Sequence, residues 1–178
     1  MKIDKSYNSS SADNQQERLL SANYIVGIVD GEGYFSVSPR IRKVKNKEVI
    51  EIDCVFGIDL NEKDKEILER IRRVFICGRL YYRKDARTNF CNLWSYRVRT
   101  HKDLIERILP FFTKHPLQLP SKRISYNHFQ RVLKLVESGQ HRTMEGFMQI
   151  KRIVKRNRIL RDYTPSSSKE DEDIVHAL

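Results

Sequence analysis

Tyr24-Ile-Val-Gly-Ile-Val-Asp-Gly-Glu-Gly33 decides how the chain is read. It holds three of the seven glycines and two carboxylates, between a helix start signal and a strand signal. Ser21 suits the N-cap of a short helix, because its hydroxyl can accept a first-turn N–H that has no partner inside the helix. The helix is expected to end in glycine, the residue that tolerates the positive φ of a C-terminal cap. Gly27 and Gly31 lie four apart and leave one helical face bare, so a second helix can approach it backbone to backbone. At the end of that face stands Glu32. Two copies would bring two Glu32 carboxylates together, an arrangement that needs a shared proton or a cation. Oxygen ligands suit a hard divalent ion whose shell is completed by phosphate and water. The same spacing also fits an ordinary buried helix whose Gly and Glu form its cap and turn.

Outward from this stretch the chain alternates. Phe35 and Val37 alternate with Ser36, Ser38, Arg40 and Arg42, giving a strand with one apolar and one polar face. Beyond the charged tip at 43–48, Ile50, Ile52, Cys54, Phe56 and Ile58 alternate with Glu51, Asp53, Val55 and Gly57. Asn61 is expected to cap a helix over 62–75, stopped by Gly78. The stretches 79–84 and 93–99 read as a hairpin with a polar, basic turn. Tyr81 and Arg83 share one face of it, and Ser95, Arg97 and Arg99 oppose Trp94, Tyr96 and Val98. A helix over about 102–112 is expected to close at Pro116 and Pro120, followed by amphipathic helices over roughly 125–137 and 143–160. The order αββαββα plus further helices predicts an α+β fold with a curved, antiparallel four-stranded sheet. A two-stranded ribbon of this kind fits the major groove.

Composition narrows the partners. Lys and Arg number 34 against 23 Asp and Glu, a net charge of +11. In the tail Lys169 stands against Glu170, Asp171, Glu172 and Asp173, so the body is more basic still. That excess points to a polyanion. No run of about 18 apolar residues is present, which argues against a membrane span, and no secretory h-region opens the chain. An intracellular location is expected, bacterial cytoplasm and organelle being equally open. Cys54, Cys77 and Cys91 are odd in number and lack Cys-x-x-Cys spacing, and the five histidines lack ligand spacing, so neither type suggests a metal site. The chain divides into a polar leader (1–17), one domain (18–163) and an acidic tail (164–178), with both ends expected to be disordered.

Ile25-Val-Gly-Ile-Val-Asp-Gly-Glu-Gly33 resembles the signature helix of the LAGLIDADG homing endonucleases. Phe56-Gly-Ile-Asp-Leu-Asn-Glu-Lys-Asp-Lys-Glu-Ile-Leu-Glu69, Ile108-Leu-Pro-Phe-Phe-Thr-Lys-His-Pro-Leu117 and Thr143-Met-Glu-Gly-Phe147 are similar to the family's later landmarks. The resemblance runs from about Leu20 to Tyr163. It implies that Glu32 is the catalytic, metal-binding acid, with the Gly31 carbonyl as a further ligand of Mg²⁺ or a similar cation such as Mn²⁺. Asp30, the earlier motif acid, is expected to be structural. The resemblance further implies a basic residue near the attacking water, here Lys122 with Arg123 as the fallback. Leu60 stands where the family often has glutamine, a departure that bears on catalytic vigour.

A single copy of the signature implies a homodimer, with Tyr24, Gly27, Ile28 and Gly31 at the interface and a long, pseudo-palindromic double-stranded DNA target. Ser36, Ser38, Arg40, Arg42, Glu51, Asp53, Tyr81, Arg83 and Arg97 are the expected DNA contacts, some of them to phosphates. The alternative is a non-cleaving binder, either a maturase acting on intron RNA or a transcriptional regulator.

Overall fold

The computed structural model describes residues 19–84 and 92–162, and of 158–162 the backbone alone. The expected leader and tail, Cys91, His176 and the turn expected between 79–84 and 93–99 lie outside the described residues.

Helix α1, Ala22–Glu32, starts as read: the Ser21 hydroxyl accepts the Tyr24 N–H at 3.3 Å. Its end differs from expectation. Gly33 has φ −79°, an extended conformation open to any residue. Glycine is required there for space instead, since a Cβ would lie 2.6 Å from Val29 Cγ1 and 2.7 Å from the Val29 carbonyl oxygen. The helix therefore passes straight into strand β1, Gly33–Val44. Lys45 and Asn46, both at positive φ, turn the chain into β2, Lys47–Asn61, the two-residue hairpin geometry that matches strand twist.

Asn61 caps a short 3₁₀ turn, Glu62–Asp64, and α2 proper runs over Lys65–Phe75. The left-handed residue that ends α2 is Ile76, not Gly78. Gly78, at φ +77°, serves close packing as well, because a Cβ there would meet the Tyr96 ring at 2.6 Å. Strands β3, Arg79–Arg83, and β4, Leu93–Val98, complete an antiparallel sheet in the order β1-β2-β4-β3.

The next helical stretch is longer than expected and built in three pieces: α3, His101–Asp103, a π-helical turn, Leu104–Ile108, and α4, Leu109–Lys114. Pro110 has no N–H to give the preceding turn, and a widened turn accommodates that loss. Pro120 opens a helix and does not close one. Helix α5 spans Pro120–Glu137, beginning five residues before the periodic pattern did, with proline in the first turn where no donor is needed. Thr143 then caps α6, Met144–Asp162, accepting the Gly146 N–H at 3.1 Å.

Helices α1, α2, α4, α5 and α6 and the π-turn all contribute to one hydrophobic core on one side of the sheet. Alternation supplies the sheet's share: Phe35 from β1, Ile52, Cys54, Phe56 and Ile58 from β2, Tyr96 and Val98 from β4. Phe35 and Phe56 stack at 5.3 Å between centroids, and Phe112, Tyr126 and Phe129 close over them. On the opposite face Ser36, Ser38, Arg40, Arg42, Tyr81 and Arg83 are exposed, and no described helix packs there.

Candidate nuclease site and nucleic-acid face

Glu32 is the last residue of α1 and is exposed, as is Gly31 before it. Asp30 is buried and turned the other way. Its carboxylate accepts the backbone N–H groups of Gln118 at 2.9 Å and Leu119 at 3.3 Å, tying the signature helix to the residues that lead into α5. The structural role expected for Asp30 is thus given a partner. In the first turn of α5, Lys122 donates its Nζ–H to the carbonyl of Gly33. This bond sets Lys122 beside the Glu32 end of α1.

Leu60 lies on the helix-covered side of the sheet, packed against the core and paired with Trp94. It is not a polar site position that has lost its polarity. The open-face residue at that end of β2 is Asp59, which sequence reading missed. Register pairs Gly33 with Ile58, so Asp59 sits one step further, toward Glu32. One of its oxygens is buried without a hydrogen-bond partner among the described residues. Counting by twos from Glu51 and Asp53 reaches it. Beside it, the Tyr34 ring covers Gly57 so closely that a Cβ there would lie 2.3 Å from Tyr34 Cζ. Burial, and then the Asp59 charge, push the Tyr34 hydroxyl above the usual tyrosine range against the pull of Arg97, so it keeps its proton.

The nine expected DNA contacts share the open face. Register sets Ser36 opposite Val55, Ser38 opposite Asp53, Arg40 opposite Glu51, Arg42 opposite Val49, Tyr81 opposite Ser95 and Arg83 opposite Leu93. Arg97 lies over the Tyr81 ring at 5.7 Å, and Ser95 is buried beneath that layer. Glu51 accepts from Arg40 Nε at 3.0 Å and from Arg42 Nη1 at 3.4 Å. The Arg40 bond chiefly holds the Glu51 carboxyl below its ordinary pKa, with burial opposing it. Asp53 takes both Nε and Nη2 of Arg99, at 3.3 and 2.6 Å.

The remaining face of α1 carries Tyr24, Gly27 and Gly31, all exposed, with Ile28 half-buried. A Cβ built at Gly27 or Gly31 would meet nothing within 4 Å. Packing among the described residues therefore does not require glycine at either position. Among the described residues no group of three or more His, Cys, Asp or Glu could hold a metal ion. Glu32 and the Gly31 carbonyl are hard oxygen donors that fit part of a divalent-cation site, not a complete one.

A curved antiparallel sheet backed by helices, open on its basic face and led in by an acid-tipped helix, defines the class as that of the LAGLIDADG proteins. A model of the family described as LAGLIDADG endonuclease matches residues 25–133, and the chain belongs to this family. It is 29% identical over 143 residues to a probable intron-encoded endonuclease, Cox1-I1b, of Schizosaccharomyces pombe, a match covering 80% of this chain and 34% of that protein. The chain thus spans about a third of that relative's length. The crystal structure of the homing endonuclease I-TnaI superposes with a TM-score of 0.68 at 26% identity, covering 90% of this chain and 98% of that one. I-SmaMI, bound to an uncleaved DNA target in the presence of calcium ions, superposes with a TM-score of 0.66 at 27% identity, covering 83% of this chain and 47% of that one. Among the described residues no helix is long and apolar enough to cross a membrane.

Proposed function

We propose that this chain is one half of a divalent-metal-dependent, site-specific endonuclease that acts as a homodimer on a long, pseudo-palindromic duplex. One observation carries the reading: Glu32 ends a helix whose outer face holds glycines that nothing among the described residues requires. A second α1 crossing at Gly27 and Gly31 explains those glycines and brings a second Glu32 alongside. Coverage of nearly all of I-TnaI but about half of I-SmaMI supports a chain that supplies one motif per copy.

Glu32 and the Gly31 carbonyl would hold Mg²⁺, or Mn²⁺ in its place. When bound, the metal supplies Lewis acidity toward water and the leaving oxygen of an in-line displacement. Lys122 keeps the Gly33 carbonyl in place and sets a fixed positive charge near the scissile phosphate, an electrostatic contribution of the preorganised kind. Tyr34, still protonated, can donate a hydrogen bond from the floor of the site. Ser36, Ser38, Arg40, Arg42, Tyr81, Arg83 and Arg97 line the duplex groove. Similarity to a protein named intron-encoded supports action inside the cell, in cytoplasm or organelle.

The test is cleavage of a library of palindrome-like duplexes with Mg²⁺, alongside Glu32→Gln, an EDTA control and sedimentation of the free chain. Specific scission by a dimer, abolished in both controls, is expected. Tight, salt-sensitive binding that survives chelation without any scission would overturn cleavage and favour a maturase or regulator.

A further inference from the structure

The period of two in β2 places Glu51 and Asp53 among residues that face nucleic acid, where a carboxylate would ordinarily read the amino group of cytosine. Their surroundings assign them different work. Glu51 Oε2 already accepts from Arg40 and Arg42, and both oxygens of Asp53 are engaged by Arg99. Arg40 spends its Nε–H on Glu51, and the guanidinium's terminal pair of amino groups takes no part in that bond. A terminal pair of this kind matches the O6 and N7 acceptors of guanine. Arg99 gives an entire edge, Nε and Nη2, to Asp53, so less of its donor fork remains, enough for a phosphate oxygen.

We infer that Glu51 and Asp53 are positioning residues: Glu51 holds Arg40 to read a guanine in each half-site, and Asp53 holds Arg99 against the sugar-phosphate backbone. The inference rests on the proposed function and names which residues of that face discriminate. Two consequences follow from the charges. Three arginines share two acids, so the outer part of the face carries less net charge than its basic residues alone suggest, which restrains sequence-independent attraction to phosphates. An arginine held by a neighbour loses rotamer freedom before binding, so its base contact is made by a preset side chain. Arg99, absent from the contacts read off the sequence, joins the interface.

The experiment is selection of bound duplexes from a randomised library in EDTA, followed by sequencing, for the full chain and for E51Q, R40A, E51Q/R40A, D53N and R99A, with melting curves verifying that each variant folds. E51Q should weaken the preference for guanine at one half-site position about tenfold, bind unrelated DNA at least as well as the parent, and steepen its salt dependence by about one counterion. R40A should erase preference at that same position, and E51Q should add nothing to it. D53N and R99A should change affinity across all sequences without moving any one position. If E51Q changes preference for cytosine at a position that R40A leaves alone, Glu51 itself reads a base and the proposal falls. It falls equally if the two effects multiply independently. A parent chain that selects no sequence sinks the nuclease reading beneath it. A parent that selects a site while E51Q leaves guanine preference untouched sinks the positioning role alone.

Discussion

Asp30→Asn should loosen the element that carries Lys122 without touching the exposed Glu32. The wild-type carboxylate takes two backbone N–H groups, from Gln118 and Leu119, across a chain separation of 88 and 89 residues. Asparagine keeps one oxygen acceptor and turns an NH₂ group toward the other N–H, donor against donor. One charge-assisted bond is lost and the other becomes neutral. Hydrogen bonds to charged groups contribute about 1.5–3 kcal/mol each. Gln118 and Leu119 are exposed residues, so water can partly replace the missing acceptor, which sets the expected loss near the low end, about 2 kcal/mol. For a chain of this size that is roughly 4–8 °C in melting temperature. Urea unfolding and a melting curve measure it, and cleavage at a range of Mg²⁺ concentrations measures its effect on the site. The expected pattern is a lower unfolding midpoint and a lower maximal rate, with the Mg²⁺ midpoint unchanged. An unaltered unfolding midpoint would show that the Asp30 bonds do not hold α5. Intact stability with a shifted Mg²⁺ response would move Asp30 into the metal site.

Gly27→Ala, by contrast, adds a methyl group to open space. It should leave the isolated chain as stable or up to about 1 kcal/mol more so through helix propensity, while weakening self-association in sedimentation; a dimer of unchanged affinity would exclude this face as the interface. His128 is buried between α5 and α6, its Nδ1 3.1 Å from Asn157 Oδ1, and burial pulls its pKa below the ordinary histidine value against that hydrogen bond. The folded chain therefore binds this proton less readily than the unfolded chain. Stability should be full above the unfolded pKa, about 6.5, fall as pH drops below it, and level off beneath the folded pKa. His128→Gln should flatten that slope in urea unfolding between pH 7.5 and 5.5, and a variant with the parental slope would remove His128 as its source.

Where the sequence was misread, a local rule met a constraint from elsewhere in the fold. Gly33 carries the right residue type for a helix end, yet close approach of Val29 governs it; Gly78 is left-handed but lies beyond the end of α2, where the Tyr96 ring also leaves no room for a Cβ. The left-handed residue that ends α2 is Ile76, which no turn preference singles out. Pro120 looked like a terminator because proline disrupts helix interiors, but in the first turn it is well placed. Leu60 is a misreading of another kind: it was matched to a site position at the end of the second strand, although the alternation through Phe56 and Ile58 sets it on the core face. Asp59 was overlooked for the same reason.

By itself the sequence determined what local periodicity can encode: two long strands with polar and apolar faces, a capped helix with a glycine face, and an acid at its tip. These are properties of a segment, set by pleat and helical pitch before any partner is present. Tertiary structure decided which distant groups meet. Lys122 reaches the Gly33 carbonyl, Asp30 holds the lead into α5, and Arg99 grips Asp53 across 46 residues of chain. Such pairs form because aromatic packing around Phe35 and Phe56 fixes how α5 lies against β1, and because sheet order sets β4 beside β2. No spacing in the chain encodes either arrangement. Burial of the shared core selects it.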